Sequence, residues 1–340
     1  MGKPEQLLVG LGSADAADIK AQKFSVDILD HYLTGVGESS WASWNSPRGE
    51  YIRVFTEQAD SIGAVPMFTL YQMGTGSAAD ANLSGLTDHA FMTQYWDNVK
   101  LLFLKLGQYD SPALVNLEPD FWGYAQKRAL NDDPNTVDAL VSINPDCADL
   151  PDSVAGIAAC QMRVARQYAP RTLLGFSVSD WGGRSSVEVA QFMKKLGADQ
   201  ADFVVLPSVK EDISGPEISS QVLGSARLNA RSSADEGGSG SHNLKKFLDK
   251  VRFYHESMGR LPVLLWRAPL DASPVDSGDD AKKMSDIGAR DFLKSPEELV
   301  AAGGVGIVFS VGEMGHADIT NDDGQFRILA LQYFANPAPL

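Results

Sequence analysis

In the stretch "ALVNLEPDFWGY", Ala113 to Tyr124, an apolar run that reads as a buried β-strand gives way to two carboxylates, Glu118 and Asp120, and then to Trp122. A second stretch, "LLGFSVSDWGG", ends a similar run in Ser179, Asp180 and Trp181. Paired carboxylates at neighbouring strand ends suit glycoside hydrolysis. One carboxyl protonates the leaving oxygen and the other attacks the sugar or activates water, at separations of about 5–5.5 Å for retention and about 6.5–9.5 Å for inversion. Side chains alternate along a strand, so Leu114, Asn116 and Glu118 share one face and Val115 and Leu117 the other. Glu118 is the expected general acid, if an apolar wall or a like charge raises its pKa, and Asp180 the expected nucleophile or base. The alternatives are a structural ion pair or loop cap for Glu118 and a helix start for Asp180, whose face is left open because Leu174, Phe176 and Val178 share its parity.

Elements must place those carboxylates together. Short apolar runs fall at residues 6–13, 27–35, 64–72, 113–119, 172–180, 202–209, 261–269 and 305–312. Between them lie stretches of helical periodicity such as "GEYIRVFTEQADSIG", "FMTQYWDNVKLLFLKLG", "VAGIAACQMRVARQYA" and "NLKKFLDKVRFYHESMG", several stopping at Gly. Strand alternating with helix about eight times, with no compositional break, predicts a single (β/α)₈ barrel over residues 1–340. A doubly wound sheet is the alternative, but "VGLGSADA" stops short of its GxGxxG fingerprint. In barrel terms Val115 and Leu117 face the helices, Asn116 and Glu118 face the axis, and Pro119 halts the ladder at the C-terminal mouth, where barrel enzymes hold their chemistry. The segment "KEDISGPEISSQVLGSARLNARSSADEGGSGSHN" after strand six reads as a long surface loop, either a lid or a passive insertion.

Composition removes several classes of function. With 44 acidic and 29 basic residues, a formal charge of -15, the chain lacks the basic footprint of nucleic-acid binding. No apolar run reaches membrane-spanning length, and the opening "MGKPEQLLVG" lacks the features of a secretory signal. Neither zinc-type Cys spacing nor HExxH occurs, so no cofactor or metal is expected. The two cysteines, Cys147 and Cys160, either close a short disulfide loop, which contributes roughly 3 kcal/mol in the chain-entropy model, or are separate buried thiols.

Trp41, Trp44, Tyr71, Trp122, Trp181 and Trp266 all fall at or just beyond expected strand ends, where flat rings stack on sugar faces. Polar residues at the same ends are His31, Gln72, Asn116, Lys210, Asp212, Arg267, Glu313 and His316. The expected contacts to a carbohydrate are His31, Trp44, Tyr71, Gln72, Asn116, Asp120, Trp122, Trp181, Asp212, Trp266, Arg267 and Glu313.

On the pieces "YLTGVGESSWASW", "VPMFTLYQM", "VNLEPDFWGY", "FSVSDWGG" and "LPVLLWRAP", the chain resembles the (β/α)₈ glycoside-hydrolase superfamily from about residue 6 to 330. Within it, the chain resembles a group of largely secreted bacterial proteins placed with polysaccharide-degrading enzymes. The resemblance implies a barrel, a carbohydrate substrate, Glu118 as acid and export with the signal removed, which the spacing of Cys147 and Cys160 also favours. It departs in two places. Leu117 separates Asn116 from Glu118, and strand seven ends "LLWRAPLD" without a Glu, so Glu313, Asp120 and Asp212 stand as alternatives to Asp180. Three functions follow: a glycoside hydrolase acting on a β-linked polysaccharide or oligosaccharide, a glycan-binding barrel without catalysis, and a metal-dependent hydrolase using His31, Glu118 and Asp180. On class alone the protein is expected to be a monomer.

Overall fold

A computed structural model describes residues 2–73, 83–180, 183–207, 239–270, 288–310 and 318–340, with side chains from residue 244 onward in the stretch that begins at 239. Eight parallel strands form in chain order: β1 (Leu8–Gly12), β2 (Ile28–Thr34), β3 (Val65–Tyr71), β4 (Ala113–Leu117), β5 (Thr172–Ser177), β6 (Phe203–Pro207), β7 (Val263–Pro269) and β8 (Gly304–Ser310). Each pairs with the next and β8 pairs with β1, closing the barrel expected from the sequence. Around it lie α1 (Ala16–Gln22), α2 (Glu50–Asp60), α3 (His89–Tyr109), α4 (Phe121–Arg128), α5 (Val154–Tyr168), α6 (Ser186–Lys195), α7 (Ser239–Ser257), α8 (Ala289–Lys294), α9 (Pro296–Ala301) and α10 (Gln325–Ala335).

Local chemistry sets the helix starts. Asp15, Asp88, Ser153 and Ser185 each accept a backbone N–H of the first turn with their side chains, satisfying one of the donors every helix start leaves open. Ser185 and Glu188 add a reciprocal capping box on α6.

Strand alternation divides the core into two shells. Leu8, Ile28, Met67, Leu114, Phe203, Val205, Leu264, Trp266 and Val308 fill the barrel interior. Val9, Leu29, Phe68, Val115, Leu117, Leu174, Phe176, Val178 and Leu265 meet the helices. The expected faces of Leu114, Val115 and Leu117 are those found, and the open question on β5 resolves with Leu174, Phe176 and Val178 outward. Gly175 is required inside, because a Cβ there would come within 2.2 Å of the Phe203 ring.

The chain between α4 and α5 is pinned by a Cys147–Cys160 disulfide with a Cα–Cα distance of 5.7 Å. Asp152 holds the same segment by accepting the backbone N–H groups of Val141 and Ser142, each at 2.7 Å. No helix among the described residues is long and apolar enough to cross a membrane.

Candidate active site

The inner face of β2 carries Ile28, Asp30 and Tyr32, so the alternation that buries Ile28 also sends a carboxylate into the barrel. Asp30 Oδ1 accepts the Thr69 hydroxyl at 2.8 Å, and Oδ2 accepts the Trp266 indole N–H at 3.0 Å. Asn116 Nδ2 donates to Thr69 Oγ1 at 3.4 Å, extending the chain of polar groups to β4. Burial pushes the Asp30 pKa up to about 6, against the pull of the hydrogen bonds from Trp266, Thr69 and the His31 backbone. Asn116 Oδ1 and Ser177 Oγ are buried without a hydrogen-bond partner among the described residues.

Above this layer Tyr32 packs against Trp266 and edge-on to Tyr71, with ring centroids 5.6 and 6.0 Å apart. The Tyr71 hydroxyl donates to Asp120 Oδ2 at 3.0 Å. Asp120 stands at φ 68 and ψ -34 immediately before α4, outside the left-handed helical region. On β7 the register with β8 slips between Trp266 and Ala268, and Arg267 adopts φ 59. That irregularity lets consecutive residues serve the same site: Trp266 closes the barrel axis and the Arg267 guanidinium lies 5.7 Å from its ring centroid. Tyr32, Tyr71, Asn116, Asp120, Trp266 and Arg267 therefore converge on the axis side of the C-terminal end. Asp30, Tyr32 and Thr69 were not anticipated. Asp30 lies within a strand rather than at its end, and its signal was only the alternation of "ILDHYL".

Other expected residues turn the opposite way. Glu118 does not face the axis: at φ 45 its backbone leaves the extended conformation, alternation stops, and the side chain enters the helix layer. There Glu118 Oε2 accepts the backbone N–H groups of Gln72 and Met73 at 2.9 and 2.8 Å. Burial pushes its pKa up to about 8, while those two N–H groups and the Tyr95 hydroxyl of α3 draw it down. Glu118 is fully buried, and its Oε2 ties the end of β4 to the end of β3. Asp180 also turns outward, with Lys250 Nζ of α7 at 2.6 Å from Oδ2 and the Tyr254 hydroxyl donating to the same oxygen at 3.3 Å.

Gln72 is buried too, its Oε1 accepting from Trp41 Nε1 at 3.1 Å and Asn98 Nδ2 at 2.9 Å. Trp122 lies inside α4, where it packs on Phe176 and donates its N–H to the Leu117 carbonyl at 2.9 Å. His31 faces α2, with Nδ1 2.6 Å from the Tyr51 hydroxyl, and burial lowers its pKa. Against the expectation that they face the mouth, each of these three lies on the helix side of its element. Trp44 stays 42% exposed on the loop after β2, edge-on to Tyr51. Trp181, Lys210, Asp212, Glu313, His316 and most of the long segment after β6 lie outside the described residues. Among the described residues no three His, Cys, Asp or Glu side chains converge as a metal-holding group.

No protein-family model matches the sequence, and no match is found among curated proteins. Solved structures match the fold. An endo-β-1,4-mannanase double mutant from Cellulomonas fimi aligns with TM-score 0.56 and 13% identity, over 98% of this chain and 71% of that one. A GH5-4 broad-specificity endoglucanase from an uncultured bacterium aligns with TM-score 0.53 and 14% identity, over 97% and 94%. A β-1,4-D-mannanase from Cryptopygus antarcticus aligns with TM-score 0.52 and 10% identity, over 100% and 94%. At such identities the likeness shows a shared (β/α)₈ architecture.

Proposed function

We propose that the protein is a glycoside hydrolase that takes a β-linked polysaccharide or oligosaccharide at the C-terminal mouth of the barrel, with Asp120 as one of the two reacting carboxyl groups. The observation that carries this reading is the axis-side group itself. The aromatic rings of Tyr32 and Tyr71 flank a carboxylate fixed by a tyrosine hydroxyl, over a floor of Trp266 with Arg267 beside it. Such a surface offers apolar faces to sugar rings and charged hydrogen bonds to hydroxyls. In the reaction one carboxyl gives its proton to the glycosidic oxygen as the C–O bond breaks, and the second carboxylate, directly or through water, takes the anomeric carbon. The fold resemblance to a mannanase and an endoglucanase is consistent with that chemistry.

The test is a panel of β-linked polysaccharides assayed for new reducing ends with the wild-type protein and Asp120→Asn. Release by the wild type that is lost in the variant supports the reading. Binding without release supports a second one, a glycan-binding barrel, favoured by the engagement of Glu118 and Asp180 in structural bonds. The Cys147–Cys160 disulfide favours an oxidising compartment for either reading. Thiol titration of denatured, unreduced protein isolated from its source checks this, and two reactive thiols would refute it.

A further inference from the structure

We infer that Asp30 is a positioning residue whose carboxylate form holds the Trp266 indole across the barrel as the floor of the mouth, and that acidification loosens this hold. Strands β2 and β7 are not neighbours, since β8 and β1 lie between them, so the hydrogen bond from Trp266 to Asp30 spans the interior between residues 236 positions apart. Gly12 on β1 borders the same space, where an added Cβ would stand in ordinary contact with Asp30 Oδ2 and Ser310 Cβ, each at 3.4 Å. An indole N–H is only a donor, whereas the Thr69 hydroxyl donates or accepts. A carboxylate therefore accepts from both at once, each bond strengthened by its charge. A protonated carboxyl must turn one O–H toward a neighbour, and its bond to the indole loses the charge assistance.

Thr69 fixes the direction of the chain. It donates to Asp30 while accepting from Asn116 Nδ2, which leaves Asn116 Oδ1 as the unpartnered end. Among the described residues the titratable and charged groups around Asp30 are few. Tyr32 on its own strand and Tyr51 on α2 are both pushed by burial above the ordinary tyrosine range, so they stay neutral. Arg267 and Asp120 act on the Tyr32 hydroxyl from across the mouth. Among the described residues Asp30 is thus the group inside the barrel whose charge changes in mildly acidic solution, and burial places that change near 6. His31, next on β2, faces α2 on the outer side of the sheet, bonded to Tyr51 and with its pKa lowered by burial.

Only the ligand arm of the test rests on the proposed carbohydrate site. In protein labelled with [¹⁵N]tryptophan, six indole signals are followed across about pH 4.5 to 7.5, and the Trp266 signal is identified by its loss in Trp266→Phe. Its proton should move upfield on acidification with a midpoint near 6. Thr69→Val removes a bond that favours the ionised form, so the midpoint should rise by about one pH unit, and Thr69→Ser should restore it. A Trp266 signal that does not titrate, a midpoint unmoved in Thr69→Val, or a midpoint that moves in His31→Gln overturns the inference. With a substrate from the polysaccharide panel, Asp30→Asn should raise KM by about three- to tenfold and leave kcat within about twofold. A loss confined to kcat overturns the positioning role. If no glycan is turned over, the proposed function fails while the indole titration still decides this inference.

Discussion

Two carboxylates two residues apart at the end of β4 lead opposite lives. Glu118 is buried in the helix layer, bonded to the backbone that ends β3, whereas Asp120 reaches the mouth and is held by Tyr71. The same division runs around the barrel: Asp180, Gln72, His31 and Trp122 serve the outer shell, while Asp30, Tyr32, Trp266 and Arg267 serve the inner one. A polar residue at a strand's C-terminal end is therefore not by that fact a substrate residue. For Glu118 the shell is decided where the strand ends, since its φ of 45 breaks the alternation and turns the side chain outward, whereas His31 and Gln72 face the helices by alternation alone.

The sharpest way to break this comparison is to neutralise each member of the β4 pair. Asp120→Asn should lower turnover by about 10²- to 10⁴-fold, the range for losing a positioned acid or base. Its melting temperature should stay within a few degrees, because Asn keeps the side-chain shape and an oxygen that accepts the Tyr71 hydroxyl. Glu118→Gln should keep turnover within about tenfold. Kinetics on a substrate from the polysaccharide panel, with a thermal scan of each variant, check both. The reverse ranking would return the chemistry to Glu118.

The next largest effect is on the pH dependence of stability. Burial raises the folded-state pKa of Glu118 from 4.5 to about 8. Its contribution is fully present below about 4.5 and is lost as pH rises toward and through about 8, since the folded state binds the proton more tightly over that window. The loss amounts to a few kcal/mol at most. Glu118→Gln keeps an acceptor for Gln72 and Met73 but cannot ionise, so its stability should not show this decline. Asp30 has the same sign between 3.8 and about 6 and is untouched by the substitution, so the fall in that lower window should persist. Urea midpoints at about pH 5, 7 and 9 separate the two windows; parallel curves for wild type and variant would mean that Glu118 titrates as if exposed.

A smaller effect tests the outer role of Asp180. Lys250→Met leaves the carboxylate with Tyr254 alone in a site that is mostly buried. Removing one partner of such a pair should cost about 2 kcal/mol, less than the 3–5 kcal/mol of a fully buried pair. For a chain of 340 residues that is about 3 °C in melting temperature, with turnover at room temperature changed by less than about threefold. A variant of unchanged stability that loses most of its turnover would place Asp180 in the chemistry.

How much of this was legible in the sequence follows the range of the interactions. The barrel was readable because eight apolar runs and their intervening helical periods are local, and the faces of Leu114, Val115 and Leu117 follow from alternation alone. The mouth residues Tyr71, Asn116, Asp120, Trp266 and Arg267 were reached by looking at strand ends. The direction of Glu118 was not, because it depends on a left-handed residue that alternation does not describe. Nor was the importance of Asp30, whose partners Thr69 and Trp266 lie 39 and 236 positions away and meet it only when the barrel closes. Trp122 lies just beyond β4 as expected but faces the outer core, because α4 starts directly after Asp120 and its first turn packs on that side.

The smallest expected effect concerns Trp44, an exposed aromatic on the loop after β2. It is 42% exposed and supported edge-on by Tyr51, with ring centroids 4.9 Å apart. The loop that carries it is anchored from below by the fully buried Trp41, and Arg48 donates to Asn98 Oδ1 at 2.6 Å. An exposed ring on an anchored loop beside the mouth fits a peripheral stacking platform for a chain that extends past the axis residues. Stacking of this kind contributes about 0.5–1.5 kcal/mol, so Trp44→Ala should raise KM about two- to tenfold on long oligosaccharides, with kcat and melting temperature nearly unchanged. Short substrates that fill only the axis group should show no difference. An equal change in KM for short and long substrates would place Trp44 within the central site, and no change for either would leave it an ordinary exposed tryptophan that only shields Tyr51.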